Sequence, residues 1–347
     1  MGYKKILGCA LFFKAPYFAI IKTMKSAPDI SEIKSWLISE NPLKLFRNGN
    51  FSVEDIDPKP WSGHFNYLVK AGTRKFVLRF KGPEWGEPTR GILDEYRILK
   101  YSGKYEVAPK VYYLNENFFG ESMILEEYLS GKLLTEFSKK EREKLFPAVA
   151  RFIAELNKIP VKKSVLPFRE PMTSYRENLR TWRRRLKIIL ENSRTQFWGK
   201  RIEKLMPEAE KMLAGFEKRL RKVLRQNGPA FIFESAHIGH CMKVKDGFRF
   251  LNWEQVSYGD PSYTLAVFLA SISRQPDFEK IKKKMIEEYL KINPVPEFEE
   301  LVDQRLKERE VSNLLWVLWA YVERGDNRPV DEAIGIKERF DRVKNIV

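Results

Sequence analysis

The sequence predicts an α+β protein with a small antiparallel-sheet lobe followed by a larger, mostly helical lobe. Three observations predict it. Alternating, β-rich runs crowd into the stretch from Phe51 to Tyr128, and helical spacing dominates from Lys139 onward. One later stretch, Phe231 to Ala270, interrupts the helices with an apolar strand, a polar loop, a hairpin, a Gly259-Asp260-Pro261 turn and an apolar helix. The 347 residues are enough for one large or two medium domains with sizeable cores. With 31% charged and 43% apolar residues the chain is globular rather than disordered. Two cysteines, Cys9 and Cys241, exclude a disulfide framework and suit a reducing, cytoplasmic setting. A formal net charge of +17 implies attraction to an anionic ligand or partner.

Taken in order, residues 1–28 read as an extension outside the fold, with Met24 as a candidate start, or alternatively as a weak membrane or partner anchor. The apolar run Ile6 to Phe13 is too short to span a bilayer, which takes about twenty residues, so no integral membrane span is expected. The small lobe is expected over 29–127. A short helix, Asp29 to Glu40, shows Ile33, Trp36 and Leu37 on one face, with Ser31 and Lys34 as a poor capping box. Strands follow at Phe51 to Val53, around the glycine turn of Pro60 to Val69, and at Lys75 to Phe80. A helix over Gly91 to Tyr101 and two strands, Pro109 to Leu114 and Ser122 to Tyr128, separated by Asn115 to Gly120, complete five strands with one helix after the third.

The large lobe is expected over 128–347. Lys139 to Asn157 places Leu145, Val149, Phe152, Ile153 and Leu156 on one stripe. After a proline-bearing linker, Ser174 and Glu177 form a capping box that opens a helix carrying Tyr175, Leu179, Trp182, Leu186 and Ile189. A second long helix is expected over Lys200 to Arg225. This helical insert, about 171–227, holds 16 Lys and Arg against 6 Glu, a surplus of ten. It reads either as the site of an anionic ligand or macromolecular partner, or as a solvated basic face. The C-terminal third is helical, and Leu314 to Tyr321 is apolar on all faces, as a core helix is.

The stretch Phe231 to Ala270, with His237, Gly239, Trp253, Glu254, Gly259, Asp260 and Pro261 at matching spacing, resembles the active-site region of the aminoglycoside phosphotransferase and choline kinase family. The resemblance implies a two-lobe protein-kinase-like fold, ATP as the cofactor and phosphoryl transfer to small-molecule hydroxyls. It also implies roles for residues of the small lobe. Gly63, His64 and Asn66 fall in the phosphate-covering loop, Arg79 at the basic position of the third strand and Glu95 at its acidic partner. Glu127 and Leu129 fall in the hinge that meets the adenine edge. The same branch uses a Trp-rich helix like Leu314 to Tyr321, so an aromatic box for choline stands beside the core reading.

At the catalytic positions the sequence departs from the family. The position of the acceptor-orienting aspartate holds Ser235, that of the metal asparagine holds His240, and that of the metal aspartate holds Asn252. Phe233 stands where a histidine opens the motif, Thr264 where an acid is usual, and Asn157 where the family has histidine. Serine is no base near neutral pH, and loss of a general base costs roughly 10²–10⁴ in rate. Magnesium is a hard cation that prefers carboxylate oxygen. These substitutions argue against magnesium and leave no intact catalytic residue. The expectation is therefore a non-catalytic nucleotide- or anion-binding pseudokinase. Its rivals are an active phosphotransferase using Glu234 or Glu254, and a nucleic-acid-binding protein using the basic insert. A zinc site at His237, His240 and Cys241 is a weaker option, because no distant fourth ligand accompanies them.

Overall fold

A computed structural model describes residues 28–56, 63–82, 91–162, 164–166 and 175–347. The first helix, α1 (Ile30–Glu40), is capped by Asp29, whose carboxylate accepts from Ser31 N and Glu32 N while Glu32 accepts from Asp29 N. The capping box is thus Asp29 and Glu32 rather than the expected Ser31 and Lys34. Lysine has no acceptor to close such a box. Behind α1 lie β1 (Phe51–Asp55), β2 (His64–Ala71), β3 (Arg74–Lys81), α2 (Ile92–Ser102), β4 (Val111–Phe118) and β5 (Glu121–Glu127). The strands form one antiparallel sheet in the order β1-β2-β3-β5-β4. β4 runs further than expected, and the turn to β5 is only Phe119 and Gly120, both with positive φ.

Because side chains alternate along a strand, the register divides the sheet into two working faces. Tyr67, Val69, Phe76, Leu78, Met123 and Leu125 turn to one face and pack with Ile33 and Leu37 of α1. Asn66, Arg79 and Ile124, aligned across β2, β3 and β5, turn to the other, toward α2 and the large lobe.

The large lobe continues through β6 (Gly131–Leu133), α3 (Lys139–Asn157), α4 (Tyr175–Glu191), α5 (Gln196–Glu203) and α6 (Met206–Asn227). Then come β7 (Ala230–Phe233), β8 (Cys241–Val244), β9 (Gly247–Phe250), β10 (Val256–Gly259) and α7 (Tyr263–Ala270), and finally α8 (Phe278–Leu290), α9 (Phe298–Glu323), α10 (Val330–Ile334) and α11 (Ile336–Lys344). The single helix expected over Lys200 to Arg225 is two helices, broken at Lys204 and Leu205. Pro207 lies in the first turn of α6, where its missing N–H costs nothing. The capping residue Ser174 lies outside the described residues. β6 and β10 were not foreseen from the sequence. β6 needs Gly131, since a Cβ there would sit 2.4 Å from the Lys243 carbonyl oxygen. In α9 the apolar run is not buried all round, because Trp316 is exposed while Trp319 is not. Among the described residues no helix is long and apolar enough to cross a membrane.

The long helix α9 is tied to the Gly-Asp-Pro turn by charge. Arg305, fully buried, donates from Nε and a terminal nitrogen to Asp260 Oδ2 at 3.0 and 2.8 Å, and from its other nitrogen to Glu308 at 2.9 Å. Asp260 also accepts from Ser262 N and Oγ. Burial disfavours the Arg305 cation, but Asp260 and Glu308 outweigh it and its pKa is raised. Removing the arginine would strand two carboxylates in the interior. Arg305→Met is therefore expected to destabilise the protein by about 3–5 kcal/mol, as read from urea unfolding midpoints.

Candidate functional site

The site forms where the inner face of the sheet meets the loops after β7 and β9. Its centre is Arg79, which is 6% exposed. Its Nε donates to Glu95 Oε2 of α2 at 2.8 Å, one terminal nitrogen donates to Asn66 Oδ1 of β2 at 3.0 Å, and the other to Asn252 Oδ1 at 2.8 Å. One side chain thus joins four parts of the chain, and the bond to Asn252 spans the lobes. Burial lowers the pKa of Arg79, but the carboxylates of Glu95 and Glu254, joined by Glu126 when that acid is ionised, outweigh it, so the group stays charged.

Gly63 has φ 72, a left-handed conformation that glycine adopts without strain, and its carbonyl accepts from Gly82 N at 2.7 Å. The next residue, His64, is fully buried, and its Nε2 lies 3.4 Å from Glu254 Oε2. This is a second contact between the lobes, so Glu254 is already engaged.

In the loop after β7, Ser235 is 7% exposed and its hydroxyl only just reaches the Asn252 carbonyl, at 3.5 Å. The His240 Nδ1 lies 3.0 Å from the Ser235 carbonyl, and the His237 Nδ1 accepts from Gly239 N at 3.1 Å. The two imidazole rings lie 3.7 Å apart. Phe233 is not in the cleft. It stacks on Phe250 and meets Trp253 edge-on, and its N–H donates to Thr264 Oγ1. Asn157 likewise holds the core, donating to the Phe231 carbonyl and accepting from the Tyr289 hydroxyl.

Asn252 adopts φ 71, which asparagine and aspartate tolerate better than other non-glycine residues. The backbone would thus suit the family's aspartate, but the residue present offers only a neutral carbonyl, and that oxygen already accepts from Arg79. With Ser235 and His240 at the companion positions, this donor set does not fit magnesium. Among the described residues no group of three or more His, Cys, Asp and Glu is arranged to hold a metal. Cys241 is buried, and burial pushes its thiol far above the usual range, away from the thiolate a metal requires.

At the hinge, the Glu127 carboxylate accepts from Lys110 N, and its own N–H donates to the Lys110 carbonyl. Its side chain shares the sheet face of Phe76, away from Arg79. Leu129 packs with Leu133 and Met242. The cleft-facing acid of β5 is Glu126, which the sequence reading passed over. Counting alternate residues back from Arg79 to Val77 and across the sheet would have found it. A pocket of about 350 Å³, lined by Val107, Phe152, Phe248 and Arg249, opens between α3 and the β8–β9 hairpin. No residue of the Arg79 network borders it.

A sequence model of the phosphotransferase enzyme family matches residues 58–301. A search of curated protein sequences gave no match. Among solved structures, choline kinase from Cryptosporidium parvum is 14% identical, with a TM-score of 0.64, over 92% of this chain and 95% of that one. A choline kinase from Streptococcus pneumoniae is also 14% identical, with a TM-score of 0.57, over 91% and 97%. A spectinomycin phosphotransferase in complex with ADP and spectinomycin is 13% identical, with a TM-score of 0.56, over 92% and 95%. These likenesses carry the two-lobe kinase-like fold.

The two histidines make the stability of the site pH-dependent. Burial lowers the pKa of His237 to about 3, aided by His240 and Arg309. Burial lowers that of His240 to about 4, with Arg79 adding to the effect and the bond to Ser235 opposing it. Below the ordinary value near 6.5 the unfolded chain binds protons that the folded one refuses, so stability is lost as pH falls from 6.5 toward 4. His240→Asn is expected to flatten this acid limb of the unfolding midpoint measured against pH.

Proposed function

Since the chain belongs to the phosphotransferase enzyme family, we propose that it is a catalytically degenerate member that binds a nucleotide, or an anion of similar charge, between its lobes without phosphoryl transfer. The observation that carries this reading is the bond from Arg79 to Asn252. A phosphate-binding cation is held ready, while the residue that would carry a metal is a neutral amide already committed to that cation. No carboxylate occupies the Ser235 or His240 positions either. The rival base Glu254 is buried against His64, and Glu234 is one step out of register with the orienting position. The spectinomycin phosphotransferase binds ADP, which supports a nucleotide as the ligand here.

The choline reading is disfavoured by the molecule's own charges. The Arg185 guanidinium lies over the Trp319 ring at 5.4 Å, so this aromatic face already has its cation. We further propose an anionic partner for the basic helices α4 to α6. Part of their charge is spent internally, as in the pairs Arg183–Glu210, Arg221–Glu217 and Lys222–Glu297. Glu210 and Glu217 are already subtracted in the surplus of ten, so of these partners only Glu297, outside the insert, reduces it. With two cysteines in the whole chain and Cys241 buried as a free thiol, the cytoplasm is the proposed setting.

The test is calorimetric titration with ATP in excess magnesium and, separately, in chelator. The reading predicts affinities equal within about threefold, since less than 0.7 kcal/mol would then rest on the metal. Binding that appears only with magnesium would overturn it and point to a rebuilt metal site.

A further inference from the structure

The inner face of the sheet carries, besides the Arg79 row, a second row one pleat away. Leu68 pairs with Val77, and Val77 with Glu126, which in turn pairs with Val111. Cross-strand partners share a face, so this row reads Leu68, Val77, Glu126, Val111 from β2 to β4. Three members are aliphatic, and the fourth is an acid in the middle of them. Leu68 and Val111 are buried, whereas Val77 and Glu126 remain partly open. The Glu126 carboxyl makes no hydrogen bond among the described residues. Its charge is felt by Arg79, but an acid placed in an apolar row and open to a cleft has its hydrogen-bonding groups left for a ligand.

Resting on the nucleotide reading above, we propose that Glu126 reads the edge of the bound base, its carboxyl pairing as donor and acceptor with the 6-amino group and adjacent ring nitrogen of an adenine nucleotide. The geometry follows from the two rows. With its phosphates at Arg79, a nucleotide places its base one pleat along, against Leu68 and Val77, and the next residue across the sheet is Glu126. An adenine edge offers an N–H donor beside a ring-nitrogen acceptor. An ionised carboxylate can only accept, but a protonated one matches both groups.

The surroundings favour the protonated form. Burial raises the pKa of Glu126 to about 8, reinforced by Glu95 of α2 and Glu127 of its own strand, and opposed by Arg79 of β3. β4 presents only Val111 at this position. Glu254, from the large lobe, also acts on Arg79. As pH rises through that value the donor is lost, and a negative charge appears beside the ring nitrogen. Adenine affinity should then fall.

The experiment compares ATP, purine riboside triphosphate (which lacks the 6-amino group) and inorganic tripolyphosphate in chelator, at pH 7 and pH 9. Wild type and the variants Glu126→Gln and Glu126→Met are titrated alike. Wild type at pH 7 is expected to prefer ATP over purine riboside triphosphate by about five- to tenfold, one good hydrogen bond, and to lose most of this at pH 9. Glu126→Gln, an amide with the same donor and acceptor but no titration, should keep the preference at both pH values. Any change it shares with wild type belongs to the phosphates. Glu126→Met should bind both nucleotides alike at pH 7, with tripolyphosphate affinity unchanged in all three proteins. An ATP preference retained by Glu126→Met would overturn the inference. So would equal binding of the two nucleotides by wild type, while leaving the anion cleft standing if tripolyphosphate binds. Failure of all three ligands to bind wild type would overturn the nucleotide reading and this inference with it.

Discussion

Everything at this site depends on keeping one guanidinium charged in a nearly dry place. Arg79 can be buried because Glu95 neutralises it and two amide oxygens, from Asn66 and Asn252, each take one N–H of a terminal nitrogen, which leaves one N–H on each. A buried arginine stripped of its carboxylate is worth about 3–5 kcal/mol of instability. The position of α2 against the sheet is therefore fixed by this pair as much as by Ile98 and Leu99. The same side chain reaches Asn252 in the large lobe, so the contact between the lobes and the placement of this charge are a single arrangement. His64 and Glu254 add a second tie across the same gap.

Reading the substitutions together shows a change in the chemistry of the cleft rather than scattered loss. Where the family pattern would put carboxylates at 235 and 252, the chain has a hydroxyl and an amide, and the opening histidine has become Phe233, packed on Phe250 and Trp253. Removing acid from the metal positions makes the cleft less repellent to phosphate in the absence of a cation. The remaining acids lie close around Arg79 as Glu95, Glu126 and Glu254, and each has a setting that limits its free charge. Glu95 is paired with Arg79, Glu254 faces His64, and burial favours the protonated form of Glu126.

The sequence made the layout legible wherever pattern and chemistry agreed. The five strands, the helix after the third, and α3 with its bounds at Lys139 and Asn157 follow from periodicity, because burial on one face is what periodicity records. Gly63, Arg79 and Glu95 were legible as an ordered set, and the structure brings Arg79 and Glu95 to 2.8 Å. What was hidden depended on tertiary partners. β6 and β10 are short strands that exist only through pairing with β8 and β7. The break before α6 needed Pro207 to be weighed against a continuous apolar stripe. Trp316 looked buried because its neighbours are, yet it lies on the outer side of α9. Glu126 was hidden by its neighbour, since two adjacent acids at a strand end look alike until the register with Val77 decides which one faces the cleft.

The most direct test of the account is the ATP affinity of Arg79→Met relative to wild type, measured with metal chelated and with unfolding midpoints recorded on the same samples. If Arg79 is the phosphate-holding charge of a metal-free cleft, the folded variant should bind at least tenfold more weakly, consistent with a charge-assisted hydrogen bond of about 1.5–3 kcal/mol. Unchanged affinity in a folded Arg79→Met protein would contradict the account and place the anion elsewhere, with the basic helices the next surface to examine.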